Sequence, residues 1–255
     1  MPMDDVKEKA KKQFEQSGRN YRDSAIHAKG RDLEWIIEEI RRHPSPFLAL
    51  DIATGTGHTA FALSRCVRRV VGCDLTPEML RIAAEEAERR GIGNVTWAEG
   101  DAERLPFPDR LFDVVTCRIA AHHFPRAERA FAEARRVLVP GGRMILVDNY
   151  VPEDVDELLN RVETLRDSSH FRAHTLAGWT RLLREAGFAA VSLRRKWETP
   201  VVLEEWFLRA KTPAHKKEEA LRLLRNAPRR ARDLLLLPAE PARLILRKGM
   251  WVAEK

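Results

Sequence analysis

Short apolar runs alternate with amphipathic stretches over the first 150 residues of the chain. Five of these runs predict buried strands, at residues 47–52, 69–73, 94–98, 112–117 and 144–147. Apolar residues at helical spacing predict helices at residues 31–41, 58–67, 77–90 and 127–137. Strands that alternate with helices predict a parallel sheet covered on both faces. Such sheets bind ligands at the carboxyl ends of their strands.

The second part of the chain is less regular. Its pattern predicts two helices, a strand, a group of basic helices and a final strand, at residues 155–165, 176–186, 191–197, 203–232 and 243–252. Pro213 and Pro228 are expected to interrupt the basic helices, because proline removes a backbone donor and clashes with the preceding turn.

Composition then narrows the class of protein. A chain of 255 residues with 44% hydrophobic and 33% charged residues is long enough for one or two packed domains. It holds no apolar run long enough to span a membrane, and residues 1–16 are too charged for a signal peptide. Three scattered cysteines predict reduced thiols rather than disulfides or a zinc site. We therefore expect a cytoplasmic protein without a metal.

The basic excess is concentrated near the end of the sequence. The net charge is +7, and residues 204–255 hold 13 Lys and Arg residues against 7 Asp and Glu residues. A basic patch there could meet nucleic acid phosphates, although a basic helical face is more often simply solvated. Nucleic acid therefore stays an alternative partner, to be weighed against a small molecule once the candidate reactive residues are known.

The candidate chemistry begins directly after the first predicted strand. The run Asp51-Ile52-Ala53-Thr54-Gly55-Thr56-Gly57 holds glycines that let a ligand approach the backbone, ahead of a helix N-terminus. Asp74 ends the second predicted strand, where a carboxylate can accept both hydroxyls of a ribose. An adenosine-containing ligand fits both features, and NAD and S-adenosylmethionine both qualify.

Two further features favour S-adenosylmethionine. A carboxylate at Asp51 would repel a pyrophosphate, but it suits the ammonium group of a methionine chain. Asp101 and Ala102 follow the third predicted strand. A carboxylate and a backbone amide in that place can meet the exocyclic amine and a ring nitrogen of adenine.

Five segments together resemble a known family. They are LALDIATGTG, VVGCDLTPEML, GDAERLPFPDRLFDVV, AHHF and VLVPGGRMILVD. In this order they resemble the class I S-adenosylmethionine-dependent methyltransferases, in particular the ubiquinone/menaquinone C-methyltransferase-like (type 11) group. The resemblance covers about residues 45–150. It departs from the family pattern at Ala53, where the family has a glycine.

The resemblance implies a fold, a cofactor and a set of binding residues. The fold is an α/β, Rossmann-like three-layer sandwich with a seven-stranded, mostly parallel sheet and an antiparallel last strand. The cofactor is S-adenosylmethionine, with S-adenosylhomocysteine as product. The cofactor-binding residues would be Asp51, Ala53, Gly55 and Gly57 at the methionine end, Asp74 and Leu75 at the ribose, Asp101 and Ala102 at the adenine, and Arg118 beside the donor.

Methyl transfer needs alignment of the acceptor and the donor, and it needs a general base only when the acceptor arrives protonated. His123 and His122 are the candidate bases, because they follow the fourth strand and imidazole titrates near neutral pH. The candidate substrate-binding residues lie in the N-terminal segment, at the end of the fifth strand and between two predicted helices: Tyr21, His27, Asn149, Tyr150, His170 and Arg172.

The leading interpretation is an enzyme that methylates a small organic molecule, most simply at carbon or oxygen. The alternatives are a nucleic acid methyltransferase that uses the basic region, an NAD-dependent oxidoreductase and a cofactor-binding regulator. The predicted organisation is a helical lid at 1–30, a core at 31–202, a basic helical insertion at 203–238 and the last core strand at 239–255. A homodimer formed through the C-terminal helices is also expected.

Overall fold

The computed structural model describes residues 7–8, 11, 30–42, 46–237 and 241–255. Its helices are α1 (Arg31–Arg41), α2 (His58–Leu63), α3 (Pro77–Arg89), α4 (Ala127–Val137), α5 (Asp156–Arg166), α6 (Leu176–Glu185), α7 (Leu203–Arg209), α8 (Ala214–Asn226) and α9 (Arg229–Leu235). Its strands are β1 (Leu48–Ile52), β2 (Arg69–Asp74), β3 (Val95–Glu99), β4 (Phe112–Arg118), β5 (Leu138–Tyr150), β6 (Ala190–Val202), β7 (Leu236–Leu237) and β8 (Arg243–Glu254). Lys7, Glu8 and Lys11 are helical as well.

The strands form one sheet in the order β3-β2-β1-β4-β5-β8-β6, and β7 also pairs with β8. Strands β1 to β5 pair in parallel, whereas β8 runs antiparallel to both of its neighbours. The predicted α/β fold with an antiparallel last strand is confirmed. The two-residue β7 is an addition to the predicted seven strands, because so short a segment leaves no alternating pattern to read.

Helices cover both faces of the sheet, and each face has its own apolar core. Ala49 of β1 packs on the face that holds Ile36 and Ile40 of α1. The next residue, Leu50, points to the opposite face, which holds Phe131 of α4 and Trp179 of α6. Strands buried on both faces read as continuous apolar runs, which is why they were visible in the sequence.

Two strands are longer than their apolar runs predict. β5 begins at Leu138 rather than at residue 144, and β6 continues to Val202, past Pro200. Proline is tolerated in β6 because this strand lies at the edge of the sheet, where a backbone N–H that faces solvent is not needed for a hydrogen bond to another strand.

Helices α5, α7, α8 and α9 form a separate helical layer with its own core. Its buried side chains include Leu159, Trp206, Phe207, Leu224 and Leu235. The predicted breaks are confirmed, because Pro213 and Pro228 directly precede α8 and α9. The predicted domain boundaries stay a prediction. Among the described helices, none is both long and apolar enough to cross a membrane.

The antiparallel direction of β8 brings its first half to the carboxyl edge of the parallel strands. Lys248 pairs in register with Asn149, one residue before the end of β5. The next residue on β8 is Gly249, and a Cβ atom there would overlap the buried ring of Trp251. Position 249 therefore has room only for glycine.

Candidate active site

A cavity opens along the carboxyl edge of the sheet. We call one side the β1–β3 wall, which includes Ala53, Gly55, Asp74, Asp101 and Ala102. The other side is the β4–β8 wall, which includes Arg118, His122, His123, Asn149, Glu163, Arg166, Asp167, Trp206, Arg209 and Lys248. The cavity lies where a parallel sheet places its ligands.

The loop after β1 turns sharply through left-handed backbone positions. Ala53, Gly55 and Gly57 have φ angles of 52°, 55° and 87°. A Cβ atom on Gly57 would lie 2.8 Å from the ring of Phe61 and 2.9 Å from that of Trp97, so glycine is needed there. Ala53 adopts a left-handed backbone that favours glycine, at a cost of about 1–2 kcal/mol for a residue with a Cβ. The alanine at position 53 is therefore compatible with the sharp turn of the loop.

Asp74 joins this loop to the end of β2. Its Oδ2 accepts a hydrogen bond from the Gly55 N–H at 2.8 Å, and its Oδ1 accepts one from the Thr76 N–H at 2.9 Å. Burial raises the pKa of Asp74, and these backbone donors oppose the rise. Both oxygens keep further lone pairs for ligand hydroxyls.

Asp51 lies beneath the loop rather than in the cavity wall. Its carboxylate accepts hydrogen bonds from the hydroxyls of Thr54 at 2.6 Å and Thr116 at 2.7 Å. Burial raises its pKa to about 6, although both hydroxyls favour the ionised form. Asp51 therefore ties the loop to β4 and places negative charge just behind it.

Asp101 follows β3 and contacts the N-terminal segment. Its Oδ2 accepts a hydrogen bond from Lys7 Nζ at 2.6 Å, and the same ammonium group lies 2.6 Å from Glu103. Arg126 donates to Glu103 through its backbone N–H and its Nε. Lys7 is thus held at the outer end of the β1–β3 wall.

These features fit S-adenosylmethionine. Asp74 is the last residue of β2, and Asp101 comes two residues after β3. These two strands are neighbours in the sheet, and neighbouring strands are about 4.8 Å apart. One carboxylate can therefore accept ribose hydroxyls while the other accepts the adenine amine. The left-handed loop would let a methionine chain pass close to the backbone at Gly55, with the Asp51 charge behind it. The role of each residue stays a prediction.

His122 and Asp148 form a buried pair on the β4–β8 wall. His122 Nδ1 lies 2.6 Å from Asp148 Oδ1, and Asp148 also accepts from the backbone N–H groups of Ala120, His122 and Asn149. Since a carboxylate only accepts, Nδ1 carries the proton. In the part of the chain that the structure describes, His122 Nε2 has no hydrogen-bond partner.

The two neighbouring histidines have different surroundings. Burial and the charge of His122 lower the pKa of His123 to about 4. Burial would also lower the pKa of His122, but the Asp148 carboxylate outweighs it and raises that pKa above 6.5. His123 Nδ1 donates to the Ser169 carbonyl oxygen at 2.9 Å, which holds its ring against the segment after α5. The hydrogen bond to Asp148 therefore gives His122 the geometry and the raised pKa that suit a general base.

The predicted site residues fall into three groups. Ten line the cavity: Ala53, Gly55, Asp74, Leu75, Asp101, Ala102, Arg118, His122, His123 and Asn149. Five lie away from its wall: Asp51, Gly57, Tyr150, His170 and Arg172. Tyr21 and His27 lie outside the described residues. The functional roles assigned to all of them stay predictions.

Side-chain direction or contacts explain why three of these residues lie away from the cavity wall. Tyr150 follows Asn149 on a strand, so its side chain points to the opposite face of the sheet. His170 Nε2 lies 2.9 Å from Asn160 Oδ1, in a buried contact. Arg172 forms an ion pair with Asp156 at 2.5 Å.

Sequence reasoning missed several charged residues in the β4–β8 wall and directly behind it. Asp148 ends the apolar run of β5, directly before the predicted Asn149. Lys248 follows Arg247 between two apolar runs of β8, and a charged pair in the middle of an apolar strand could have identified it. Glu163, Arg166 and Asp167 lie at the end of α5 and just after it, where no motif marks them.

Comparisons with known proteins agree with this geometry. A family model described as "Methyltransferase domain" matches residues 50–146. The uncharacterized methyltransferase YcgJ of Bacillus subtilis is 39% identical over 222 residues, which cover 86% of this chain and 87% of YcgJ. The crystal structure of YcgJ superposes with a TM-score of 0.84 and 36% identity, over 88% of this chain and 98% of that one.

Two more distant matches complete the comparison. A demethylmenaquinone methyltransferase of Thermus thermophilus is 42% identical over 123 residues, which cover 47% of this chain and 56% of that protein. A Haemonchus contortus phosphoethanolamine N-methyltransferase 2, solved in complex with S-adenosyl-L-methionine, has a TM-score of 0.57 at 19% identity, over 89% of this chain and 52% of that one. The second match is one of fold alone.

Proposed function

Because the chain belongs to the methyltransferase domain family of S-adenosylmethionine-dependent enzymes, we propose that it methylates a small organic acceptor at oxygen or carbon, with His122 as the general base. The hydrogen bond between His122 and Asp148, in the wall of the same cavity as Asp74, carries this proposal. A base is useful for a hydroxyl or a carbon acid, which must lose a proton as it reacts.

The residues of the β1–β3 wall would hold the cofactor. Asp74 would bind the ribose hydroxyls, Asp101 and Ala102 the adenine, and the loop at Ala53 and Gly55 the methionine chain. When bound, S-adenosylmethionine supplies a methyl group that the positive charge on sulfur already activates.

The residues of the β4–β8 wall would act on the acceptor. Asp148 fixes the proton on His122 Nδ1, so that Nε2 is the atom that accepts a proton. As Nε2 takes the acceptor's proton, the Asp148 carboxylate stabilises the imidazolium that forms. The His122 backbone carbonyl accepts from the N–H groups of Phe171 and Arg172, at 3.0 and 2.9 Å, which fixes the position of the turn.

We further propose that residues 1–30 close over the β1–β3 wall as a lid, and that Lys7 attaches this lid to Asp101. The ion pair from Lys7 to Asp101 and Glu103 lies at the outer end of the adenine site and supports that placement. The basic helical insertion at 203–238, a cytoplasmic location and a homodimer stay predictions.

A labelling screen tests the proposed function. The purified protein is incubated with methyl-labelled S-adenosylmethionine and with phenols, catechols, hydroxyquinones, carbon acids, RNA and DNA in parallel. We expect label in a small molecule, lost in both His122→Ala and Asp74→Ala. Calorimetry with S-adenosylhomocysteine should show lost binding only in Asp74→Ala. Label that enters RNA in preference to every small molecule would contradict the proposal.

A further inference from the structure

We propose that the β4–β8 wall contains an oxyanion subsite, in which the ammonium group of Lys248 binds a carboxylate or a phosphate of the acceptor. The inference deepens the proposed function, because it assigns a chemical class to the acceptor. It depends on that function only for the identity of the ligand as a methyl acceptor.

Lys248 is a buried cation whose ammonium group has no protein partner among the residues that the structure describes. The residue is 5% exposed and lines the cavity. Within the described residues, its ammonium group has no hydrogen bond and no carboxylate within 4 Å. A buried charge without a partner is costly, and proteins usually pair it or replace it. An unpaired lysine that lines a cavity is therefore best explained by a charged ligand.

Asn149 provides a second polar atom at the same place. It pairs in register with Lys248 across β5 and β8, and it also lines the cavity. Its Oδ1 is buried and has no partner among the described residues. A hydroxyl or an amine beside the oxyanion would donate to this atom. One ligand could thus satisfy both unmatched groups.

The position of Lys248 in the sheet separates this subsite from the cofactor. Strands β4 and β5 lie between β8 and β1, so Lys248 is about 14 Å from the loop after β1, three spacings of about 4.8 Å. The adenosine end, over β2 and β3, is further still. Asn149, which pairs with Lys248, directly follows Asp148, the partner of His122. The reacting group and the oxyanion of the acceptor would therefore be only a short spacer apart.

The carboxylates that act on Lys248 already have other partners. Asp32 forms an ion pair with Arg118 at 2.5 Å, and Asp148 Oδ1 lies 2.6 Å from His122 Nδ1. Arg166 lies 3.7 Å from Glu163 and 4.7 Å from the ring centre of Trp206. Burial lowers the pKa of Lys248 to about 8, an effect that the nearby Asp32 carboxylate limits, so the side chain is mainly a cation at pH 7.

The test uses small oxyanions as probes on the full chain. Protein with isotope-labelled lysine side chains is saturated with S-adenosylhomocysteine, and the Lys248 resonance is followed by NMR. Acetate and inorganic phosphate are titrated separately, with acetamide as the uncharged control and chloride to match ionic strength. We expect a saturable shift with at least one oxyanion and none with acetamide. The tighter of acetate and phosphate identifies which group the acceptor carries.

Two variants make the result specific. Lys248→Met keeps the length of the side chain without its charge, so oxyanion binding, followed by calorimetry, should weaken at least 10-fold. Affinity for S-adenosylhomocysteine should stay within about 2-fold. The matched control is Lys196→Met, at an exposed lysine of β6 opposite Gly249, which should behave as wild type.

A stability measurement separates a binding role from a structural one. If Lys248 serves a ligand, Lys248→Met removes an unpaired buried charge, and Tm should rise by about 2–4 °C without ligand. A fall in Tm, or oxyanion binding equal in wild type and Lys248→Met, would overturn the subsite. The titration is repeated without S-adenosylhomocysteine. A protein that binds acetate but no S-adenosylhomocysteine would refute the proposed function and keep the subsite.

Discussion

The β1–β3 wall is made by three strand ends that are close in sequence, whereas the β4–β8 wall collects its charged groups from distant parts of the chain. In the first wall, backbone N–H groups at Gly55 and Thr76 orient the Asp74 carboxylate. In the second, side chains such as His122 and Lys248 are brought together only by the complete sheet. A wall built on backbone geometry can serve one fixed ligand, and a wall built on side chains can change its ligand by substitution.

The largest expected effect separates the two walls by their kinetic constants. With the acceptor that the labelling screen identifies, His122→Ala should lower kcat by about 10²–10⁴-fold, because the variant lacks the proposed base. The dissociation constant for S-adenosylmethionine should not change. His215→Ala, at an exposed histidine of α8, is the matched control and should keep full activity. A variant that loses donor affinity instead would erase the distinction between the walls.

The reciprocal change belongs to the β1–β3 wall. Asp74→Ala should weaken S-adenosylhomocysteine binding by about 100-fold, since two hydrogen bonds to a charged group are lost. Calorimetry measures the effect, with the exposed Asp233→Ala as control. Unchanged affinity would mean that the ribose is held elsewhere.

The pH dependence sharpens the comparison further. The proposed mechanism requires His122 without a proton on Nε2, so kcat/KM should fall as the pH drops through the raised pKa of His122. Asp148→Asn removes the carboxylate that raises this pKa. The low-pH limb should then move to lower pH, with a lower plateau. NMR titration of the His122 ring gives the same pKa without an acceptor, and a ring that titrates identically in wild type and variant would contradict the role of Asp148.

The smallest expected effect is on the free energy of unfolding, and it concerns Asp51 beneath the β1–β3 wall. The pKa of Asp51 is about 6 in the folded protein and 3.8 for an ordinary aspartate, so the folded state binds more protons between these limits. The contribution of Asp51 to stability therefore falls as the pH rises from about 4 to 6. Asp51→Asn should be more stable than wild type at pH 7.5, by about 1–3 kcal/mol, and equal to it below pH 4. Denaturant unfolding at both pH values checks this, and a difference that does not change with pH would refute the assignment.

The sequence predicted the two walls unequally, for a physical reason. Gly55, Asp74 and Asp101 lie at the ends of apolar strands or within three residues of them, so local pattern alone places them at one edge of the sheet. Lys248 lies far along the chain, and its place beside Asn149 depends on the pairing of β8 with β5. No local pattern encodes that register. The choice between His122 and His123 likewise needed the position of Asp148.

The close packing of Trp251 over Gly249 sets a limit on how this enzyme could be redesigned. A library aimed at new acceptors would naturally vary the strand that carries Lys248. Position 249 should tolerate no replacement, although it does not line the cavity, because every other side chain would displace a fully buried indole. Saturation mutagenesis of β8 should therefore find adaptable positions at Leu246 and Lys248 on either side of Arg247, followed by an immutable glycine.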